Sequence, residues 1–387
     1  MTLVLEEGKE ISVGANGAYA IVAITKHGVE IARKLLGSFQ GADLYYMKKF
    51  EKGDELERDI RMFDGSVRLL LPSLFKEYKG IVCIISLGAV VRMIAPLLID
   101  KKTDPGIVVI DDKGENVISV LSGHLGGANE LTIEVAEMLG ANPIITTASD
   151  VQKTIPVDLF GKKFGWVWDS AEKLTPVSAS VVNEEQIAIV QESGEKDWWH
   201  YDRPLPPNMT LYGSVEEALD HEFDAALVIT HRLLSQKEQE ILHNGVVFRP
   251  KVIVIGMGCN RGTKPEEIQS VIMDTLQELN FSTKSVKALC TIDLKKDEEG
   301  LLETVQKFGW EFITYTPEEL NSIHIEQPSD TVFKYTGAYG VSEPAALLYS
   351  GAEGLNLVKK KSGNVTISVG LISNHPSGKG SFTHDRK

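Results

Sequence analysis

Two rhythms of apolar and polar residues run through this chain. Continuous apolar runs at residues 20–25, 80–86 and 107–111 read as buried strands, whereas residues 29–36 repeat apolar side chains at helical spacing. A β-rich stretch at 117–120 leads into the run 121–131. Beyond it Ile133, Val135, Ala136, Met138 and Leu139 recur at helical spacing until Gly140, and residues 144–147 return to strand. This alternation predicts an α/β fold, with a largely parallel or mixed sheet covered by helices and ligand loops at the carboxyl ends of strands. Three such ends carry polar sequences, at 86–92, 121–130 and 146–150.

The texture changes after residue 150. Trp166, Trp168, Trp198 and Trp199, with the prolines at 204, 206 and 207, mark a smaller middle domain in which Tyr201, Asp202 and Arg203 read as an exposed turn. A second α/β module begins at residue 250. Residues 251–255 read as a strand and 256–262 as a glycine turn into a helix, with Thr263 capping, Pro265 in the first turn and Glu266 closing the capping box. Strands follow at 286–292 and 312–315, helices at 298–308 and from Ser342 with Pro344, and a closing hairpin at 356–359 and 365–369. Residues 373–387 are polar and expected to be mobile. The predicted organisation is an N-terminal α/β module over 1–150, a middle connector domain over 151–249 and a C-terminal α/β module over 250–387.

Candidate chemistry gathers in the run 121–131, a strand-to-helix turn holding Ser122, Gly123, His124, Gly126, Gly127, Asn129 and Glu130. Glycines there let the backbone approach a ligand, and free amides at the helix start present positive charge to anions. An imidazole in a loop is more often a hydrogen-bond partner than a catalyst, but flanking glycines leave His124 uncrowded, and Glu130 is placed to orient it. Ser122 is a nucleophile candidate without the G-x-S-x-G elbow. The turn at 256–262 has GxGxxxG spacing and no acidic residue at the end of the next strand, and GxxxxGK[ST] is absent, so a general anion turn is favoured over a nucleotide site. Thr291, Asp293, Lys295 and Asp297 form a polar rim or a solvated loop. A Schiff-base role for Lys295 would require burial. Neither HExxH nor paired CxxC occurs, so no metal site is expected.

Net charge of −14 disfavours nonspecific binding to nucleic acid or an acidic membrane surface. Three cysteines, Cys83, Cys259 and Cys290, suit a reducing compartment, and the acidic first ten residues carry no apolar signal core, so a cytoplasmic location is expected. Residues 82–99 are apolar enough to raise a membrane span. Gly88, Arg92 and Pro96 interrupt them, and a strand, a turn and a short helix fit better.

The residues Gly88-Ala-Val-Val-Arg92 running into Ile94-Ala-Pro96, the run from Ser122 to Glu130, and Thr146-Thr-Ala-Ser-Asp150 form one set of motifs. Gly256-Met-Gly-Cys259, Thr291-Ile-Asp-Leu-Lys295, Asp297-Glu298 and Val341-Ser-Glu-Pro-Ala-Ala346 form a second, in order. With these the chain resembles the cobalamin-biosynthesis protein G family, the cobalt-precorrin-5A hydrolases of the anaerobic pathway. The resemblance implies opening of a δ-lactone on a cobalt-containing tetrapyrrole and loss of the extruded meso carbon with its methyl group as acetaldehyde. Water is then the co-substrate, no organic cofactor is implied, and the cobalt belongs to the corrinoid substrate. Homo-oligomers or transient contacts with other pathway enzymes stay open. His124 is the expected water activator, oriented by Glu130. Substrate contacts are expected from Gly88, Arg92, Gly123, Gly126, Gly127, Asn129, Thr146, Thr147 and Asp150, and from Gly258, Cys259, Asn260, Arg261, Asp293, Lys295 and Glu343. Because the substrate carries many carboxylates, Arg92, Lys101, Lys102, Arg261 and Lys264 are expected to supply local positive charge. A second reading is a corrinoid carrier without chemistry, which would bind tightly and release no aldehyde.

Overall fold

The computed structural model describes residues 2–6 and 11–373; the predicted mobile tail lies outside them from residue 374 onward. Two compact units form, residues 1–159 and 160–387. In the first unit eight strands build one sheet: β1 (Thr2–Val4), β2 (Tyr19–Ala23), β3 (Ala42–Met47), β4 (Arg61–Asp64), β5 (Gly80–Ile84), β6 (Gly106–Ile110), β7 (Asn116–Leu121) and β8 (Asn142–Ile144). Their order is β1-β4-β3-β2-β5-β6-β7-β8, and every neighbouring pair is parallel except β6 with β7. Helices α1 (Lys26–Leu36), α2 (Val67–Glu77), α3 (Leu87–Ile94) and α4 (Ala128–Leu139) cover the two faces, and a short α5 (Ala148–Gln152) follows β8. One core packs Val29, Ala32 and Leu35 of α1 and Leu131 and Val135 of α4 on the sheet; the other packs Leu70, Leu71 and Leu74 of α2 with Val90 and Ile94 of α3. Strand β3 gave no clean apolar run because it buries polar atoms: the Tyr45 and Tyr78 hydroxyls lie 2.6 Å apart, beside Arg61 and Asp43.

The second unit holds two five-stranded sheets. The elements of the first are β9 (Val167–Trp168), α6 (Leu174–Val182), β10 (Ile187–Gln191), β11 (Met209–Tyr212), α7 (Val215–Leu219), β12 (Ala225–Ile229) and β13 (Gly245–Arg249), in strand order β11-β10-β12-β13-β9. Two of its tryptophans are core residues: Trp166 and Trp198 pack edge-on against Phe160, and Phe160 against Phe248. The second sheet comprises β14 (Ile253–Cys259), α8 (Pro265–Glu278), β15 (Val286–Ile292), α9 (Glu299–Phe308), β16 (Glu311–Tyr315), α10 (Pro317–Asn321), α11 (Asp330–Thr336), α12 (Ser342–Ser350), β17 (Leu357–Ser362) and β18 (Val365–Leu371). Strand order is β16-β15-β14-β18-β17, with β18 antiparallel to both β14 and β17, so the predicted closing hairpin is present. Backbone bonds from Leu233 to Asn280 and from Ser282 to His231 join the two sheets.

Two local expectations are corrected here. Residues 256–259 continue strand β14 and are not the start of a turn. Gly256 is required by packing, because a Cβ there would fall 1.8 Å from the Ser342 carbonyl oxygen and 2.9 Å from Ala346 Cβ. Thr263 does not cap α8 either: its hydroxyl donates to the Asn260 carbonyl at 2.8 Å, Lys264 takes the cap position without a side-chain bond, and Pro265 starts the helix.

Candidate active site

Strand direction decides which loops meet. Leu121 at the end of β7 stands opposite Ile107 near the start of β6, and β8 runs parallel to β7. The loops at 122–127 and 145–147 therefore open at the edge of the sheet where β2, β5 and β6 begin. Residues 86–92 leave β5 at the other edge, about 15 Å away along a five-residue strand. The three polar strand ends thus form two groups, because the β6–β7 hairpin reverses the chain. Gly88 and Arg92 belong to the second group, where Arg92 Nη1 donates to the Gly88 carbonyl at 3.0 Å.

Backbone bonds close the glycine loop on itself. Gly127 N–H donates to the His124 carbonyl at 3.0 Å, Ala128 N–H to Ser122 at 3.2 Å and Asn129 N–H to Gly123 at 2.9 Å. These bonds occupy the N–H groups of Gly127, Ala128 and Asn129, which were among the helix-start amides expected to face an anion. Gly126 is needed because a Cβ would fall 2.3 Å from Ser122 Cβ, and Gly127 takes the left-handed conformation that turns the chain into α4. Ser122 itself has φ of 55°, and its hydroxyl is buried without a partner among the described residues. With no base beside it, Ser122 shapes the loop and is not placed as a nucleophile.

The His124 side chain, 15% exposed, lies between two carboxylates. Its Nδ1 is 2.9 Å from Asp158 Oδ1, its Nε2 is 2.9 Å from Asp150 Oδ2, and the Ser149 hydroxyl is 3.2 Å from Nε2. Hydrogen bonds to Asp150 and Asp158 outweigh burial and raise the ring's pKa to about 9. At neutral pH the imidazole is doubly protonated and has no lone pair to accept a proton from water. His124 is accordingly an acid in this arrangement, not the base expected from sequence. Nor does Glu130 orient it; Glu130 is exposed in the first turn of α4, and the two aspartates hold the ring.

Asp150 is the reachable carboxylate, at 39% side-chain exposure. Buried Asn129 fixes it, donating to Asp150 Oδ2 at 2.9 Å and to Thr147 Oγ1 at 3.0 Å while accepting from the Ser119 hydroxyl at 2.6 Å. Thr146 is exposed next to this group. Asp158 was not anticipated, since it sits in an irregular segment 34 residues from His124 with no local motif around it.

In the second unit a cavity of about 670 Å³ is lined by Gly258, Cys259, Asn260, Arg261, Lys295 and Glu343. Asp293 does not line it, although its neighbours Ile292 and Leu294 do, and its Oδ1 is buried without a partner among the described residues. Lys295 Nζ donates to Glu298 Oε2 at 2.9 Å, and Arg261 Nη1 to Asp297 at 2.8 Å. Burial pushes the Glu298 carboxyl up, but the bonds from Lys295 and from Gly262 N–H prevail and hold it below the usual range. Lys295 is thus a paired ammonium, unsuited to imine formation. Burial raises the Cys259 thiol and the Glu343 carboxyl. Lys359 and Lys361 also line the cavity and were missed, although their positions two apart in a strand were legible.

Fold and site together define a segmented α/β protein in which His124, after β7, meets Asp150 of α5 and Asp158. Three family models match it in order: Cobalamin synthesis G N-terminal over residues 70–150, Cobalamin biosynthesis central region over 155–250 and Cobalamin synthesis G C-terminus over 253–370. A cobalt-precorrin-5A hydrolase of Priestia megaterium is 73% identical over 368 residues, covering 95% of this chain and 98% of its own. One from Salmonella typhimurium is 31% identical over 360 residues, covering 91% and 97%. A crystal structure of a cobalamin biosynthesis protein G homolog from Sulfolobus solfataricus covers 92% of this chain and 97% of its own, at 23% identity and a TM-score of 0.34. The chain belongs to the cobalamin synthesis protein G family. Among the described residues no helix is long and apolar enough to cross a membrane.

Proposed function

We propose that the chain is a cytoplasmic cobalt-precorrin-5A hydrolase, which opens the δ-lactone of its substrate with water and releases acetaldehyde to give cobalt-precorrin-5B. The reading is carried by 73% identity to a protein of that name, across nearly the whole length of both. Chemistry is assigned to Asp150 and His124. The exposed Asp150 carboxylate takes a proton from water as its oxygen attacks the lactone carbonyl. The His124 imidazolium then protonates the departing ring oxygen, leaving a carboxylic acid and a free alcohol. In the second step the alcohol loses its proton, the carbon–carbon bond to the macrocycle breaks, and acetaldehyde departs. The bonding electrons pass into the conjugated macrocycle, which takes up a proton. The substrate itself is the electron sink, so no organic cofactor and no lysine imine enter the scheme.

Incubation with cobalt-precorrin-5A and trapping of the volatile aldehyde tests this. One acetaldehyde per macrocycle is expected from the wild-type chain, and Asp150→Asn should lower the rate about 10²-fold or more. Tight binding of the corrinoid with no aldehyde would return the carrier role.

A further inference from the structure

Four cations line the cavity of the second unit, and they differ in how they are paired. Arg261 is bonded to Asp297 and Lys295 to Glu298, so both are held by acids of the same loop. Lys359 and Lys361 on β17 have no acid within ion-pair distance among the described residues. Between them, Lys360 does not line the cavity; its Nζ sits 2.7 Å from Glu278 on α8. The β17 strand therefore presents two unpaired ammonium groups to the cavity and directs the intervening one to a structural partner. In a chain of net charge −14, where acids outnumber bases, an unpaired cationic wall concentrates positive potential at one place. Among the described residues the lining contains one acid, Glu343, whose carboxyl feels Lys359 from beyond ion-pair distance, and it includes the apolar or aromatic side chains Ile325, Val332, Val341 and Tyr335, the last 76% exposed. Apolar surface beside two cations that lack ion-pair partners suits a flat ring with anionic groups at its rim.

We propose that Lys359 and Lys361 read the peripheral carboxylates of the macrocyclic substrate, one edge of which enters this cavity against Val332 and Tyr335. The identity of the macrocycle rests on the function proposed above; the recognition of a polycarboxylate rim rests on the cavity. These lysines act in binding and selection, not in bond breaking.

Acetaldehyde release from cobalt-precorrin-5A is to be followed for the wild-type chain, the Lys359→Gln/Lys361→Gln double variant and Lys360→Gln. The double variant is expected to raise KM about ten- to a hundredfold, the scale of lost charge-assisted hydrogen bonds, with kcat held within about twofold. Lys360→Gln, which removes one charge from the same strand on its other face, should leave both constants unchanged. Added salt should raise the wild-type KM and scarcely move that of the double variant. An unchanged KM in the double variant, or a fall in kcat alone, overturns the assignment. Should no protein release aldehyde, the proposed reaction fails, and absorbance titration of the same corrinoid decides the lysines separately. A tenfold or greater loss of affinity confined to the double variant, on the same scale of about 1.4 kcal/mol per decade, upholds their role, and equal affinities overturn it.

Discussion

His124 shows how far one residue's neighbours can move its chemistry. An isolated imidazole titrates near neutrality and serves as a base; between Asp150 and Asp158 it keeps its second proton up to about pH 9. Because the folded-state pKa is raised, the stability gained from this cluster is fully present below the ordinary histidine value of 6.5 and is lost as pH rises through about 9. Asp158 faces Nδ1 and leaves the Nε2 side to Asp150, which makes it a positioning residue. Asp158→Asn should therefore shift the His124 titration, followed by NMR of the ring, downward by roughly a unit, and move the alkaline limb of kcat with it at little cost in KM. If the ring titrates unchanged, Asp158 has no such role. That His124, Asn129 and Asp150 belong to polar sequences at two strand ends, 121–130 and 146–150, was legible in the sequence. The proton count on His124 was not, since Asp158 is remote in sequence and Glu130, the acid close by, points into solvent.

At the scale of elements, strands and helices followed the apolar rhythm wherever burial was uniform, as in β2, β5, β6 and α4. Boundaries failed where glycine served packing. Gly256 looks like the opening of a ligand turn, yet it lies within β14 so that α12 can rest on the strand with no Cβ between them. Gly256→Ala must push α12 outward, and a loss of about 2 kcal/mol or more is expected by chemical denaturation of the variant against the wild-type chain. Since α12 carries Glu343 on its first turn, the cavity of the second unit should loosen as well, and the KM of the variant should rise with the loss of stability. A variant with unaltered denaturation would show that the helix shifts freely. Strand direction lay in the connection: residues 111–115, with Gly114 at positive φ, are too few for a parallel crossover, so β7 runs against β6, and that reversal separates Arg92 from His124.

Over the whole molecule, a half-buried histidine in the first unit and a buried one in the second behave in opposite ways. His231, in the second unit, stacks edge-on against Phe281, and its Nδ1 is buried without a partner among the described residues. Burial lowers its pKa to about 4, so its contribution to stability is present above 6.5 and is lost as pH falls from there toward about 4, by roughly 3 kcal/mol at the acid end. The first unit loses the His124 contribution on the alkaline side instead. Thermal unfolding across this range should accordingly show the second unit weakening in mild acid and the first weakening toward pH 9. His231→Phe keeps the ring contact and removes the titration, so the slope between pH 6.5 and 4 should flatten in that variant alone; a slope that persists would assign it to other groups.

By itself the sequence determined the α/β class, the change of texture after residue 150, the polar loop that holds His124 and, through its motifs, the family. These follow from apolar periodicity and from short runs of residues, which are local properties of the chain. Only the tertiary structure decided which loops share an edge, which acids flank His124 and which lysines remain unpaired beside the cavity. Each of these depends on contacts between residues far apart in the chain, of which local pattern carries no record.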